Sequence, residues 1–149
     1  VFGVDPDAAI DAMLKLLKEQ NGDAALALSS GMPAPVGGQM HTLPFVTDAK
    51  SGAFLVPKPA AQLAVGTLQN AIDRMLTLFP GAEVDYIHGA QTVRTLAGKG
   101  GAIGFTLPAM QKSELFPTVV YDGALPRKTF SMGEANEKRY YMECRKIER

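Results

Sequence analysis

The sequence contains no tryptophan and only one cysteine, Cys144, among its 149 residues. One cysteine cannot form a disulfide within the chain, so no disulfide framework is expected, and a lone thiol favours a reducing, cytoplasmic environment. Cys144 also stands apart from His41 and His88, and no pair of the three has the spacing of metal ligands. We therefore expect no metal and no other cofactor.

The sequence also lacks an excess of charge of either sign. Its 15 basic and 15 acidic residues give a formal net charge of zero. Without a global field to attract a polyanion, nucleic acid is not an expected partner. No apolar run approaches the roughly 18 residues of a membrane span, and the N-terminus lacks the pattern of a signal peptide. We therefore expect a soluble chain with no membrane partner.

The sequence does have enough apolar residues to fill a core. Hydrophobic residues make up 46% of it and charged residues 20%, which at this length predicts one compact domain. We divide it into residues 1–39, a helix followed by a Gly/Pro-rich loop, and residues 40–149, an α/β domain, which together form one structural unit. The opening Val-Phe-Gly-Val is typical of the interior of a longer chain, so we expect a fragment of a longer parent.

The first third of the chain predicts a helix with well-marked ends. Asp5 has the side chain of an N-cap, Pro6 suits the first turn, and the apolar stripe ends near residues 20–22. Residues 24–28 form a short apolar run that the pattern assigns to neither helix nor strand. Residues 29–39, rich in Gly, Pro and Ser, are expected to form a loop.

The rest of the chain mixes strand and helix patterns. The expected elements are strands at 42–47 and 53–56, a helix at 65–78, a strand at 84–87, a helix at 92–97, a strand at 103–107 and a helix at 110–116. The first two strands suit a hairpin. The order that follows predicts an α/β fold, a layered sheet that is partly parallel or mixed with helices on one or both faces, with α+β as the alternative.

The stretch at 125–147, LPRKTFSMGEANEKRYYMECRKI, carries the densest set of functional groups. Pro126 fixes a turn that presents Arg127 and Lys128, and the hydroxyls of Thr129 and Ser131 lie close by in sequence. Guanidinium, ammonium and hydroxyl groups all donate hydrogen bonds to phosphate or carboxylate oxygens. The pattern therefore predicts an anion pocket, with a solvated basic loop as the alternative.

An alternating pattern follows that basic turn. From Arg139 onward, Tyr140, Met142 and Cys144 fall on one side of an extended chain, while polar groups dominate the other. This period of two is typical of a half-buried strand.

His88 is a further candidate ligand-binding residue. It follows the strand expected at 84–87 and precedes a helix, and sheets of α/β proteins usually present ligand groups at such strand ends. A lone histidine near a helix start more often serves as a cap or a structural hydrogen-bonding group. The loop at 98–101 lacks the spacing and the hydroxyl residue of a phosphate loop and leads into a strand, so it is interpreted as a turn. No residue is assigned a catalytic role.

Four segments resemble the C-terminal part of the bacterial domain-of-unknown-function family numbered 1015. They are VGTLQ at 65–69, DYIHG at 85–89, IGFTLPAM at 103–110, and the end motif LPRKTFSMGEA followed by KRYYMECRKI. The resemblance covers roughly residues 40–149, and its end motif is long and specific. Some full-length relatives are similar to free serine kinases of the ParB/sulfiredoxin type, whose ADGHHR-like motif lies in the N-terminal half. This chain has no such motif.

The resemblance implies a C-terminal domain that packs on the N-terminal half of the parent and lends Arg127, Lys128 or His88 to a shared cleft. The expected function is a non-catalytic domain that contributes an anion or phosphate surface to a small-molecule, amino-acid kinase-like protein. The fragment alone is expected to be inactive. Expected partners are the parent's N-terminal half, a phosphorylated small molecule or nucleotide, and a second copy of the chain. The alternative is a structural or protein-docking domain with no small-molecule site.

Overall fold

The fold is that of a computed structural model, which describes residues 1–31 and 40–125. Helix α1, Pro6–Asn21, begins where the sequence predicts it. The Asp5 carboxylate accepts a 2.8 Å hydrogen bond from the amide of Ala8, which satisfies one of the free donors of the first turn. Gly22 ends the helix with a φ of 80°, a backbone conformation that glycine adopts without strain. Both expected ends of α1 are confirmed.

One sheet lies at the centre of the described residues. The elements after α1 are β1 Ala25–Ser29, β2 His41–Val46, β3 Ser51–Val56, α2 Ala64–Leu78, α3 Ala90–Ala97, β4 Gly104–Phe105, a 3-10 turn at Lys112–Glu114 and α4 Leu115–Asp122. The strand order is β1-β3-β2-β4. The apolar run of undecided type therefore forms an edge strand, and the expected layered fold of helices on a sheet is confirmed.

The pairing within this sheet differs from the parallel or mixed arrangement that was expected. β1 with β3, β2 with β3 and β2 with β4 all run antiparallel. The turn between β2 and β3 spans only residues 47–50, whereas a parallel pair needs a crossover of a dozen or more residues. The antiparallel pairing agrees with the α+β alternative.

The predicted hairpin is confirmed, and its turn is held by side-chain and main-chain bonds. Val46 pairs with Ser51 at the turn, and His41 pairs with Val56 at the far end. The Thr47 amide donates to the Lys50 carbonyl at 2.8 Å, and the Thr47 hydroxyl accepts from the Lys50 amide at 2.9 Å.

The main core lies between this sheet and helices α1 and α2. The Phe45 and Phe54 rings meet with centroids 5.0 Å apart. Met13 and Leu17 of α1 and Met75 of α2 are fully buried in the same apolar cluster. Residues from both of the expected segments, 1–39 and 40–149, thus contribute to one sheet and one core.

Helix α3 lies against the β4 edge. A Cβ on Gly104 would come within 2.6 Å of Val93 Cγ1, 3.3 Å of Ala97 Cβ and 3.4 Å of Val46 Cγ1. Glycine at this position therefore lets the helix approach the strand closely. Among residues 1–31 and 40–125, no helix has the length and apolar character needed to cross a membrane.

Two expected elements in the second half need correction. The strand predicted at 84–87 does not form: Glu83 makes an isolated bridge with Phe2, and no strand follows it. The helix predicted at 110–116 starts later. The Glu114 carboxylate turns back to accept from the Gln111 amide at 2.6 Å, so residues 112–114 make a 3-10 turn and α4 begins at Leu115.

Candidate functional site

The predicted anion pocket falls on a part of the chain that the structure does not describe. Arg127, Lys128, Thr129 and Ser131 all lie beyond residue 125. His88 is therefore the one residue of the predicted anion site that the structure describes.

His88 lies in a bend immediately before α3, and its side chain is exposed. The strand that was expected to present it is absent, so its position is set by the start of the helix instead. Gly89 is the N-cap, with a φ of 89°, and its carbonyl accepts from the Val93 amide at 3.3 Å. A residue with a side chain is disfavoured at that φ, so glycine fixes the angle at which the chain enters α3.

The electrostatics at this helix start favour a negative charge. Gly89 has no side chain to cap the helix, and the first turn of α3 contains no acidic residue. The partial positive charge of a helix N-terminus is therefore not offset within that turn. Arg94 lies in the last turn, where a cation suits the opposite end of the helix dipole. An anion beside His88 would meet both an imidazole and the helix N-terminus.

The segment before His88 is fixed to α2 by polar contacts. The Tyr86 hydroxyl donates to Gln69 Oε1 at 2.7 Å, and Gln69 Nε2 donates to Asp73 Oδ1 at 2.7 Å. The Asp85 carboxylate accepts from the Tyr86 amide at 2.7 Å and is exposed. Tyr86 therefore holds this segment against α2, two residues before His88.

The other histidine, His41, occupies a site that sequence reasoning missed. It is buried at the start of β2, with its Nδ1 2.9 Å from the Thr67 hydroxyl of α2. Burial lowers its pKa below the ordinary value of 6.5, against the opposing effects of a hydrogen bond to the Gln62 backbone and of the Asp122 and Glu114 carboxylates. The sequence contained a signal for the burial of His41, because it alternates with Leu43 and Phe45 and so shares a strand face with these core residues.

The loop at 98–101 is a turn, as expected. Gly100 and Gly101 have φ values of 84° and 66°, and the Gly101 carbonyl accepts from the amides of Gly3 and Val4. Its backbone thus joins the N-terminal residues to the β4 edge. In the described ranges, no group of three or more His, Cys, Asp or Glu residues could hold a metal ion.

Comparison with known proteins found no matching family model, no matching curated protein and no matching solved structure.

Proposed function

We propose that this chain is the C-terminal domain of a protein of family 1015, and that it contributes an anion-binding surface to a small-molecule, amino-acid kinase-like parent. The supporting observation is the exposed His88 at the N-terminus of α3, where the first turn carries no carboxylate. An imidazole and a helix N-terminus both suit a phosphate or carboxylate. Arg127, Lys128, Thr129 and Ser131 are the proposed additional donors.

The role assigned to this domain is binding. The described histidine–hydroxyl pair, His41 with Thr67, is buried and links β2 to α2. A general base must come within hydrogen-bonding reach of its substrate, which this buried pair does not offer. We propose that any chemistry belongs to the parent's N-terminal half, with a phosphorylated small molecule or nucleotide as the ligand.

Titration of inorganic phosphate, phosphoserine and ATP into the 149-residue chain tests the anion surface. Saturable binding of at least one of them is expected. Arg127→Ala should weaken it about tenfold or more, because a charge-assisted hydrogen bond contributes roughly 1.5–3 kcal/mol. Arg127→Lys should be nearly as damaging if the contact is bidentate, since an ammonium cannot reproduce the planar fork.

Two further variants distinguish a defined anion-binding site from non-specific attraction of anions by positive charge on the surface. His88→Asn should also weaken binding. Arg94→Ala is the matched control, because Arg94 is exposed at the other end of α3, and it should bind like the wild type. Absence of saturable binding, or equal weakening by Arg94→Ala and Arg127→Ala, would contradict the proposal.

A further inference from the structure

Helix α4 buries one of its polar side chains and exposes most of its apolar ones. Thr118 is buried, and the exposed Asp122 accepts a 2.7 Å hydrogen bond from the Gln62 amide. By contrast, Phe116, Val120 and Tyr121 are 78%, 77% and 75% exposed. A helix on the surface of a folded protein normally shows the reverse arrangement. The orientation of α4 therefore indicates a surface that another group of atoms covers.

The exposed side chains form one continuous surface. Successive residues of an α-helix are about 100° apart, so Phe116 and Val120 lie on the same stripe with Val119 beside them. Val119 is 45% exposed, and Tyr121 extends the surface along the flank of the helix. We refer to these four residues, Phe116, Val119, Val120 and Tyr121, as the α4 apolar face.

The size of this face argues against a second copy of the chain as its cover. Aromatic side chains bury on the order of 150–250 Å² each and aliphatic ones less, so the face measures on the order of 500 Å². Two such faces would bury roughly 1,000 Å² in a dimer, less than the roughly 1,200 Å² at which stable interfaces begin. A tethered segment needs less area, because its effective concentration is in the millimolar range.

A segment with a suitable apolar pattern follows α4 directly in the chain and is therefore tethered to it. Helix α4 ends at Asp122, and residues 126–149 begin after a link of only residues 123–125. Within that segment, Tyr140, Met142 and Cys144 alternate with polar residues, and such a pattern needs an apolar surface on one side. We propose that the α4 apolar face is the docking site of residues 140–144 of the same chain.

Docking in this way would close residues 123–139 into a loop with both ends fixed at α4. The basic turn at Arg127 and Lys128 lies in that loop. The proposal does not depend on anion binding, because the docking contacts are apolar and belong to other residues.

The reactivity of Cys144 tests the proposal. Since Cys144 is the only thiol in the chain, its rate of reaction with an aromatic disulfide reports on residues 140–144 alone. The folded wild type should react at least about tenfold more slowly than the urea-unfolded chain, because docking shields the thiol. Phe116→Asp and Met142→Asp, on the two sides of the contact, should each restore fast labelling.

Leu28→Asp is the matched control, because Leu28 is an apolar residue of β1 that is 61% exposed; it should leave the rate unchanged. Circular dichroism must show each variant to be folded, and Val120→Ser replaces Phe116→Asp if that variant is not. Three results would overturn the proposal. They are wild-type labelling at the unfolded rate, protection that survives both Phe116→Asp and Met142→Asp, and protection that disappears on dilution as a dimer dissociates.

Discussion

His41 Nδ1 lies 2.9 Å from the hydroxyl of Thr67, and both side chains are buried. The bond joins the first residue of β2 to the first turns of α2. The Thr67 carbonyl also accepts from Gln20 Nε2 of α1 at 3.3 Å. One threonine therefore connects the start of a central strand with both helices of the main core.

Thr67→Val should destabilise the protein, because it keeps the shape of the side chain and removes the hydroxyl that faces His41. A buried polar group left without its partner costs about 1–3 kcal/mol. Urea denaturation of the wild type and the variant measures this difference. Thr77→Val is the control: its exposed hydroxyl donates to the Arg74 carbonyl, and its effect should stay within about 0.5 kcal/mol. Equal effects of the two changes would mean that the His41–Thr67 bond contributes little.

Stability should fall as the pH drops through about 6.5, the ordinary pKa of histidine. Burial lowers the pKa of His41 in the folded protein, so the unfolded chain binds this proton more readily. The free energy of unfolding then rises with pH in the window below 6.5 and levels off beneath the folded-state pKa. Urea midpoints between pH 4.5 and 8 measure the slope.

His41→Gln should flatten that part of the pH profile, since it removes the titrating group. Thr77→Val is the control, because it changes an exposed residue that carries no titrating group, and it should preserve the slope. A profile that is identical in the wild type and in His41→Gln would show that His41 is not responsible.

The extent to which sequence predicted this fold depends on how local each signal was. Asp5 and Gly22 fix the ends of α1 through their own side chain and backbone, and the hairpin turn at 47–50 is equally local. The strand expected before His88 failed for the opposite reason. Val84, Tyr86 and Ile87 gave an apolar pattern, but a strand also needs a neighbour, and the isolated bridge ends at Glu83. Pairing partners are chosen by the whole fold.

The same distinction applies to the candidate site. His88 was correctly recognised as a residue near a helix start, because Gly89 and the pattern of α3 are local. The role of His41 depends on Thr67, Gln62 and Asp122, which lie far along the chain and become neighbours only after folding. The anion pocket around Arg127 stays a prediction, because it lies outside the described residues.

Asp5→Ala should lower the stability of α1 by about 1 kcal/mol, the usual effect of losing an N-cap. The carboxylate accepts from the Ala8 amide, and alanine has no acceptor to replace it. Asp5→Asn should retain most of the stability, since its side-chain carbonyl can accept the same bond. Thermal unfolding followed by circular dichroism compares the three proteins; a loss as large in Asp5→Asn as in Asp5→Ala would point to charge instead of capping.

Gly52→Ala should destabilise the sheet by about 1–3 kcal/mol through overpacking. An added Cβ would overlap the carbonyl of Ala27 and lie 3.0 Å from the Cα of Leu28, so β1 would have to move away from β3. Gly31→Ala is the control, because nothing lies within 4 Å of its Cβ position, and it should be neutral. Chemical denaturation of both variants checks the comparison, and equal midpoints would show that β1 accommodates the methyl group.

The strand order has a consequence for the sequence of events in folding. β2 and β3 are joined by a short turn, and hairpins of this kind form within microseconds. β1 pairs with the other edge of β3, and its Ser29 is 22 residues from Ser51 in sequence. Closing that longer loop costs more entropy, so β1 should dock onto a hairpin that has already formed. Stopped-flow kinetics would then show that substitutions in the 47–50 turn slow folding, whereas substitutions in β1 mainly accelerate unfolding.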